Sequence, residues 1–176
     1  GVVAPTNLAA LETVIRERAA KILDGLPVGE TFDWVDKVSI ELTTQMLAAI
    51  FDFPFEDRRK LTYWSDLATS TVATGGSMPE ESRREGLMEC LEVFTQLKHE
   101  RESRDPAQHN DLVTMMAHSP ATKDMDPMEY LGNLILLIVG GNDTTRNSIS
   151  GGVLALNQFP EEYDKLRANP SLIRNM

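Results

Sequence analysis

The stretch Asp126–Asn157, DPMEYLGNLILLIVGGNDTTRNSISGGVLALN, decides the fold. Asp126 offers a side-chain acceptor at the N-cap and Pro127 lacks an N–H that would be orphaned. Glu129 puts a carboxylate at the positive helix end. No charged residue then appears from Tyr130 to Asn142, and no proline before Pro160. One helix of about 30 residues follows, roughly 45 Å long and able to cross a whole domain. Its apolar part is too short and too interrupted by glycine to span a membrane. The expectation is a long buried helix with polar groups at its middle.

That middle is where chemistry is expected. Gly140 and Gly141 stand side by side, each costing about 1 kcal/mol against alanine in a helix interior. The absent side chains let a flat or bulky ligand approach the backbone. Leu136, Val139, Gly140 and Thr144 follow the i, i+3, i+4, i+8 spacing of one helix face. The stripe therefore runs from apolar wall to glycine gap to hydroxyl. A Thr hydroxyl at position 144 can bond a carbonyl one turn back and bend or open the helix. Asp143 lies one residue off the stripe. An acid beside an alcohol in an apolar helix suits a proton relay. The plainer reading, equally open on spacing alone, is a kinked core helix whose Asp143 pairs with a distant arginine.

The rest of the 176 residues narrows the class. With 41% hydrophobic and 25% charged residues, the chain has the composition of a globular domain with a real core. A net charge of −10 argues against a nucleic-acid binder and against adsorption to anionic lipid. The N-terminal GVVAPTNLAA has neither the basic region nor the apolar core of a signal peptide. Cys90 is the only cysteine, so no internal disulfide forms, and a reducing cytoplasm is the expected location. His99, His109 and His118 lack metal-ligand spacing, so no metal ligand is expected here. A start without Met and an end at Met176, shortly after a helix, point to a fragment.

In chain order, a first helix is expected over Asn7–Leu26, with Leu8, Leu11, Ile15, Ala19 and Ile22 as its apolar stripe. Gly25, Pro27 and Gly29 end it, and a short strand near residues 28–32 is the most β structure expected. A second helix over Asp33–Phe51 turns Val35, Val38, Leu42, Met46 and Ala49 inward. A third follows over Glu56–Thr71, with Leu61, Trp64 and Leu67 apolar. Thr74–Ser77 reads as a flexible connection. Pro79 restarts a helix to about Arg104, with Leu87, Leu91, Phe94 and Leu97 buried, and Asp111–His118 is a short helix. A lone thiol such as Cys90 on an amphipathic helix acts as a small hydrophobe. The fold class is all-α.

The run Gly140-Gly141-Asn142-Asp143-Thr144-Thr145 resembles the (Ala/Gly)-Gly-x-(Asp/Glu)-Thr-(Thr/Ser) signature of the long distal helix of cytochrome P-450, the heme-thiolate monooxygenases. NQFPEEYDKLRANPSLI resembles that family's next short helix. The wider wording LILLIVGGNDTTRNSISGGVLALNQFP is most similar to the soluble bacterial branch that hydroxylates the terminal carbon of medium-chain alkanes. A glycine commonly follows the second helix in this family. Asp52 takes that place here, which puts the usual left-handed helix stop in question.

The resemblance implies that residues 1–176 form a partial cytochrome P-450 domain, from after the propionate-binding helix through the long distal helix. The loop with the axial cysteine would lie outside the chain, and nothing around Cys90 resembles it. Gly140, Gly141 and Thr144 would border heme b. Thr144 would hold dioxygen and its protons through its hydroxyl, and Asp143 would feed protons inward. Leu136 and Val139 would form substrate wall, and Thr74–Ser77 a lid. Electrons would come from NAD(P)H through ferredoxin reductase and ferredoxin. The implied function is monooxygenation of an unactivated C–H bond of a small hydrophobic substrate, with residues 1–176 inert by themselves. Fatty acids, terpenes or sterols are the alternative substrates, and a non-catalytic helical binding module is the alternative class.

Overall fold

A computed structural model describes residues 5–70 and 78–175, with side chains from Leu11 to Arg174. Among the described residues seven α-helices follow one another in chain order. They are α1 (Pro5–Asp24), α2 (Glu41–Phe51), α3 (Arg59–Thr69), α4 (Glu80–Glu102), α5 (Leu112–His118), α6 (Pro127–Gln158) and α7 (Pro160–Ala168). A π-helical turn, Val35–Ile40, leads into α2, and 3-10 turns Phe55–Asp57 and Pro170–Asn175 precede α3 and follow α7. The architecture is all-α, as the periodicity predicts. Thr74–Ser77 lies outside the described residues.

The helix starts follow from side-chain chemistry. Asp126 accepts from Met128 N at 2.9 Å with Pro127 in the first turn of α6. Asp111 accepts from Thr114 N at 2.8 Å and from the Thr114 hydroxyl at 2.7 Å, capping α5. Asp33 accepts from Asp36 N at 3.1 Å and opens the π-helical turn.

At residues 28–32 Val28–Glu30 bends and no strand forms among the described residues, within the bound of at most one short strand. Three expectations need correction. Val35 is 41% exposed, because the π turn rotates it away from the face that Val38 and Leu47 bury. Ile15 is also exposed, since α1 lies on the edge of the bundle. Asp52 does adopt the left-handed conformation, at φ 49°, without being glycine.

The core lies where α2, α3, α4 and α6 meet. Phe51 and Phe94 pack edge to face with centroids 5.2 Å apart, and Phe53 and Trp64 do the same at 5.9 Å. Leu61, Leu67, Val113, Leu134 and Ile138 close around them without exposure. Gly86 lets α4 approach α3, because a Cβ there would run into the Leu67 side chain. Cys90 is fully buried in this core. No helix among the described residues is long and apolar enough to cross a membrane.

Candidate functional site on helix α6

Helix α6 is 32 residues long and unbroken through Gly140–Thr145, so the hydroxyl at position 144 does not open it. Neither is the helix buried throughout. Its buried residues are Tyr130, Leu131, Leu134, Ile138 and Asn142, which face α2, α3 and α4. A second row with the same four-residue spacing, Leu136, Gly140 and Thr144, is offset from Leu134, Ile138 and Asn142 by two positions. At about 100° per residue the two rows stand on opposite sides. Leu136 is accordingly 72% exposed, Gly140 and Thr144 are exposed, and Val139 lies half-buried at the stripe's edge.

The adjacent glycines do different things. A Cβ at Gly140 would meet nothing within 4 Å, whereas one at Gly141 would come within 2.7 Å of Leu47 Cδ2 on α2. Gly141 thus sets how closely α6 packs on α2, and Gly140 leaves a gap on the outward face. Thr144 Oγ1 donates to the Gly140 carbonyl at 3.0 Å, the back-bond that its position predicts. Its single proton is then used, and its lone pairs face outward as acceptors.

Asp143 points elsewhere. Arg146 donates to its carboxylate, and through both terminal nitrogens to Asp66 Oδ1 on α3 at 3.1 Å. The anticipated arginine partner exists, but it is one turn away and not distant. Leu136, Gly140 and Thr144 therefore share a face with Val139 at its edge, while Asp143 stands in an ion pair beside it. Asp143-x-x-Arg146 has the i, i+3 spacing of helical ion pairs and was legible in the sequence. Asp66, 80 positions away, carried no such signal.

Two further polar residues join α6 to α2 and to the π-helical turn that leads into it. The Thr43 hydroxyl lies 2.9 Å from Asn142 Oδ1, and the Ser39 and Ser150 hydroxyls are 2.8 Å apart. Among the described residues no group of three His, Cys, Asp or Glu side chains could hold a metal ion. The outward stripe instead suits a flat, largely apolar group: an alkyl wall at Leu136, a gap at Gly140 and one hydroxyl at its rim.

No family model matches the chain. Linalool 8-monooxygenase of Pseudomonas putida is 32% identical over 174 residues, covering 97% of this chain and 41% of the relative. Among solved structures, cytochrome P-450-153 from Novosphingobium aromaticivorans is 47% identical with a TM-score of 0.87, covering 99% of this chain and 41% of that one. CYP153D17 from Sphingomonas sp. PAMC 26605 is also 47% identical, with a TM-score of 0.86 and coverages of 99% and 43%. The chain therefore spans about two fifths of the length of the proteins it matches. That near-complete superposition at such identity, on a backbone that carries the Gly140–Thr145 signature in its longest helix, means that the chain belongs to the cytochrome P-450 family.

Proposed function

We propose that this chain supplies the distal wall of the heme site in a monooxygenase that hydroxylates the terminal carbon of medium-chain alkanes. The observation that carries the proposal is the outward stripe of Leu136, Gly140 and Thr144, open to approach on the side of α6 opposite its buried row. Its residues fit a porphyrin face, because Gly140, between Leu136 and Thr144, lets a planar ring come near the helix backbone. Heme b, when bound beside Gly140 and Thr144, would supply the activation of dioxygen.

The chain's own residues do the rest. Leu136 and Val139 line the space where an alkyl chain lies and keep water from it. Thr144, with its proton on the Gly140 carbonyl, accepts a hydrogen bond from a protonated oxygen at its Oγ1 and keeps that proton in place. Asp143 is the proton carrier, drawing on solvent when Arg146 turns from it towards Asp66. In this reading residues 1–176 are a partial domain, inert alone. The whole protein works in the cytoplasm with NAD(P)H, a ferredoxin reductase and a ferredoxin.

The alkane reading rests on the wording of Leu134–Pro160. The names of the relatives, linalool 8-monooxygenase and steroid C26-monooxygenase, favour a terpene or sterol as the second reading. The test is product analysis on the full-length, heme-loaded protein with reductase and ferredoxin. Conversion of n-octane to 1-octanol in preference to linalool or a sterol supports the first reading. Preference for either competitor replaces it, and absence of heme uptake sinks both.

A further inference from the structure

The inward row of α6 changes character at its midpoint. Tyr130, Leu134 and Ile138 are buried and lie in the hydrophobic core. At the same four-residue spacing follow Asn142, Arg146 and Ser150, each held by a side chain from another element: Thr43, Asp66 and Ser39 respectively. Apolar packing is non-directional and tolerates a few degrees of helix rotation. Hydrogen bonds do not. The half of α6 that carries Asp143 and Thr144 is thus held by directional bonds at every inward position, and the preceding half mainly by hydrocarbon, with one hydrogen bond from the Tyr130 hydroxyl to the Phe94 carbonyl at 3.3 Å.

Two of these bonds bracket the Thr144 turn. Thr43 meets Asn142 just before it, and Ser39, from the π-helical turn, meets Ser150 just after it. The pairs run antiparallel, 39 with 150 and 43 with 142. Asn142 has no exposure, and its Nδ2 has no protein partner. The Thr43 hydroxyl, with one proton, lies 2.9 Å from Asn142 Oδ1 and 3.0 Å from the Ser39 carbonyl. Turned over, the amide donates through Nδ2 to Thr43 while Thr43 donates to Ser39, making both bonds at once. Leu47 of α2 lies against Gly141, where a Cβ would come within 2.7 Å of its Cδ2.

We infer that Thr43, Asn142, Ser39 and Ser150 are positioning residues, a two-point polar clamp that fixes the rotation of α6 and so the aim of Thr144 and Asp143. The consequence for chemistry rests on the monooxygenase reading. Loosening the clamp leaves substrate and cofactor contacts in place and misdirects the proton. Reducing equivalents then end as peroxide.

The experiment uses the full-length protein and the near-isosteric Thr43→Val. Hydrogen exchange of α6 amides is measured without heme, and the share of consumed NAD(P)H released as peroxide is measured with heme. Exchange at residues 141–148 should rise about fivefold, the scale of one lost hydrogen bond, and stay at the parent rate over 128–136. The peroxide share should rise several-fold with substrate affinity within about twofold, and Thr43→Ser should restore both. Ser150→Ala, at a half-buried position, should give the same exchange pattern at 146–152 if Thr43→Val fails to fold. Parent-like exchange at 141–148, a uniform rise along α6, or no rescue by Thr43→Ser overturns the inference, as does an unchanged peroxide share. A full-length parent that takes up no heme but shows the local exchange change would remove the monooxygenase reading and leave the clamp standing.

Discussion

Arg101 Nη2 donates to Asp52 twice, to the backbone carbonyl at 2.6 Å and to the carboxylate at 3.0 Å. Arg101 is buried at the end of α4, and Arg104 adds a bond to the same carboxylate at 2.7 Å. A non-glycine residue at φ 49° is thereby held at the stop of α2. The arginines offset the roughly 1–2 kcal/mol that the left-handed conformation costs. Asp52→Gly relieves that strain and loses the carboxylate, so its net effect on stability should be within about 1 kcal/mol. Asp52→Ala keeps the strain and loses the carboxylate, and should cost about 2 kcal/mol. Urea melts of the two variants check this, and equal losses would refute the strain account.

The paired glycines should part company on substitution. Gly140→Ala fills open space and gains about 1 kcal/mol of helix propensity in the heme-free protein. In the heme-loaded protein heme retention should stay at the parent level, because the signature that Gly140–Thr145 resembles admits alanine at this position. Gly141→Ala drives a Cβ into buried Leu47, and an overpacking cost of ~1–3 kcal/mol outweighs the propensity gain. Thermal melts with and without heme separate the two, and identical behaviour would remove the distinction.

Thr144→Ala in the full-length enzyme should keep NAD(P)H consumption and divert it to peroxide, because the outward acceptor at Oγ1 is lost. Asp143→Asn should slow turnover about 10- to 100-fold with a larger solvent isotope effect, since an amide carries no titrating proton. Rates equal to the parent in both variants would end the relay assignment.

Acid should loosen the junction of α2 with α3. Burial raises the Glu41 carboxyl, but bonds from Gln45, Arg58 and Arg59 outweigh it and hold it below its ordinary 4.5. A lowered folded value stabilises the fold above the unfolded pKa and is lost as pH falls through the folded one. Glu41→Gln should therefore cost about 1–2 kcal/mol at neutral pH and flatten the loss of stability below pH ~4.5. Chemical denaturation across that window measures it.

Burial, with the Glu89 carboxylate beside it, pushes the Cys90 thiol up to about 12. The thiol should resist alkylation at pH 8 in the folded protein and react on unfolding, as mass spectrometry of iodoacetamide-treated samples would show.

The sequence made the starts of α6 and α5 readable because each begins with a cap local to it, at Asp126-Pro127 and at Asp111. The stripe of Leu136, Gly140 and Thr144 was legible for the same reason, since helical spacing alone defines a face. What escaped depends on contacts far along the chain. Asp66 meets Arg146 across 80 positions and Thr43 meets Asn142 across 99. No spacing rule reveals such pairs. The π turn also escaped, since nothing in VDKVSI separates it from an ordinary helical run, and Val35 was misplaced with it. At Asp52 composition misled, because the arginines that make the conformation tenable come from α4.

The two rows of α6 also bear on how this helix can change over time. Residues on one side answer to folding and those on the other, in the proposed reading, to the reaction, although they alternate every two positions in one segment. Mutational tolerance along 130–150 should therefore oscillate, with different penalties at alternate pairs of sites. In that reading a library restricted to Leu136 and Val139 would sample new specificities while leaving the scaffold intact, so selectivity could be bred here without first breeding stability.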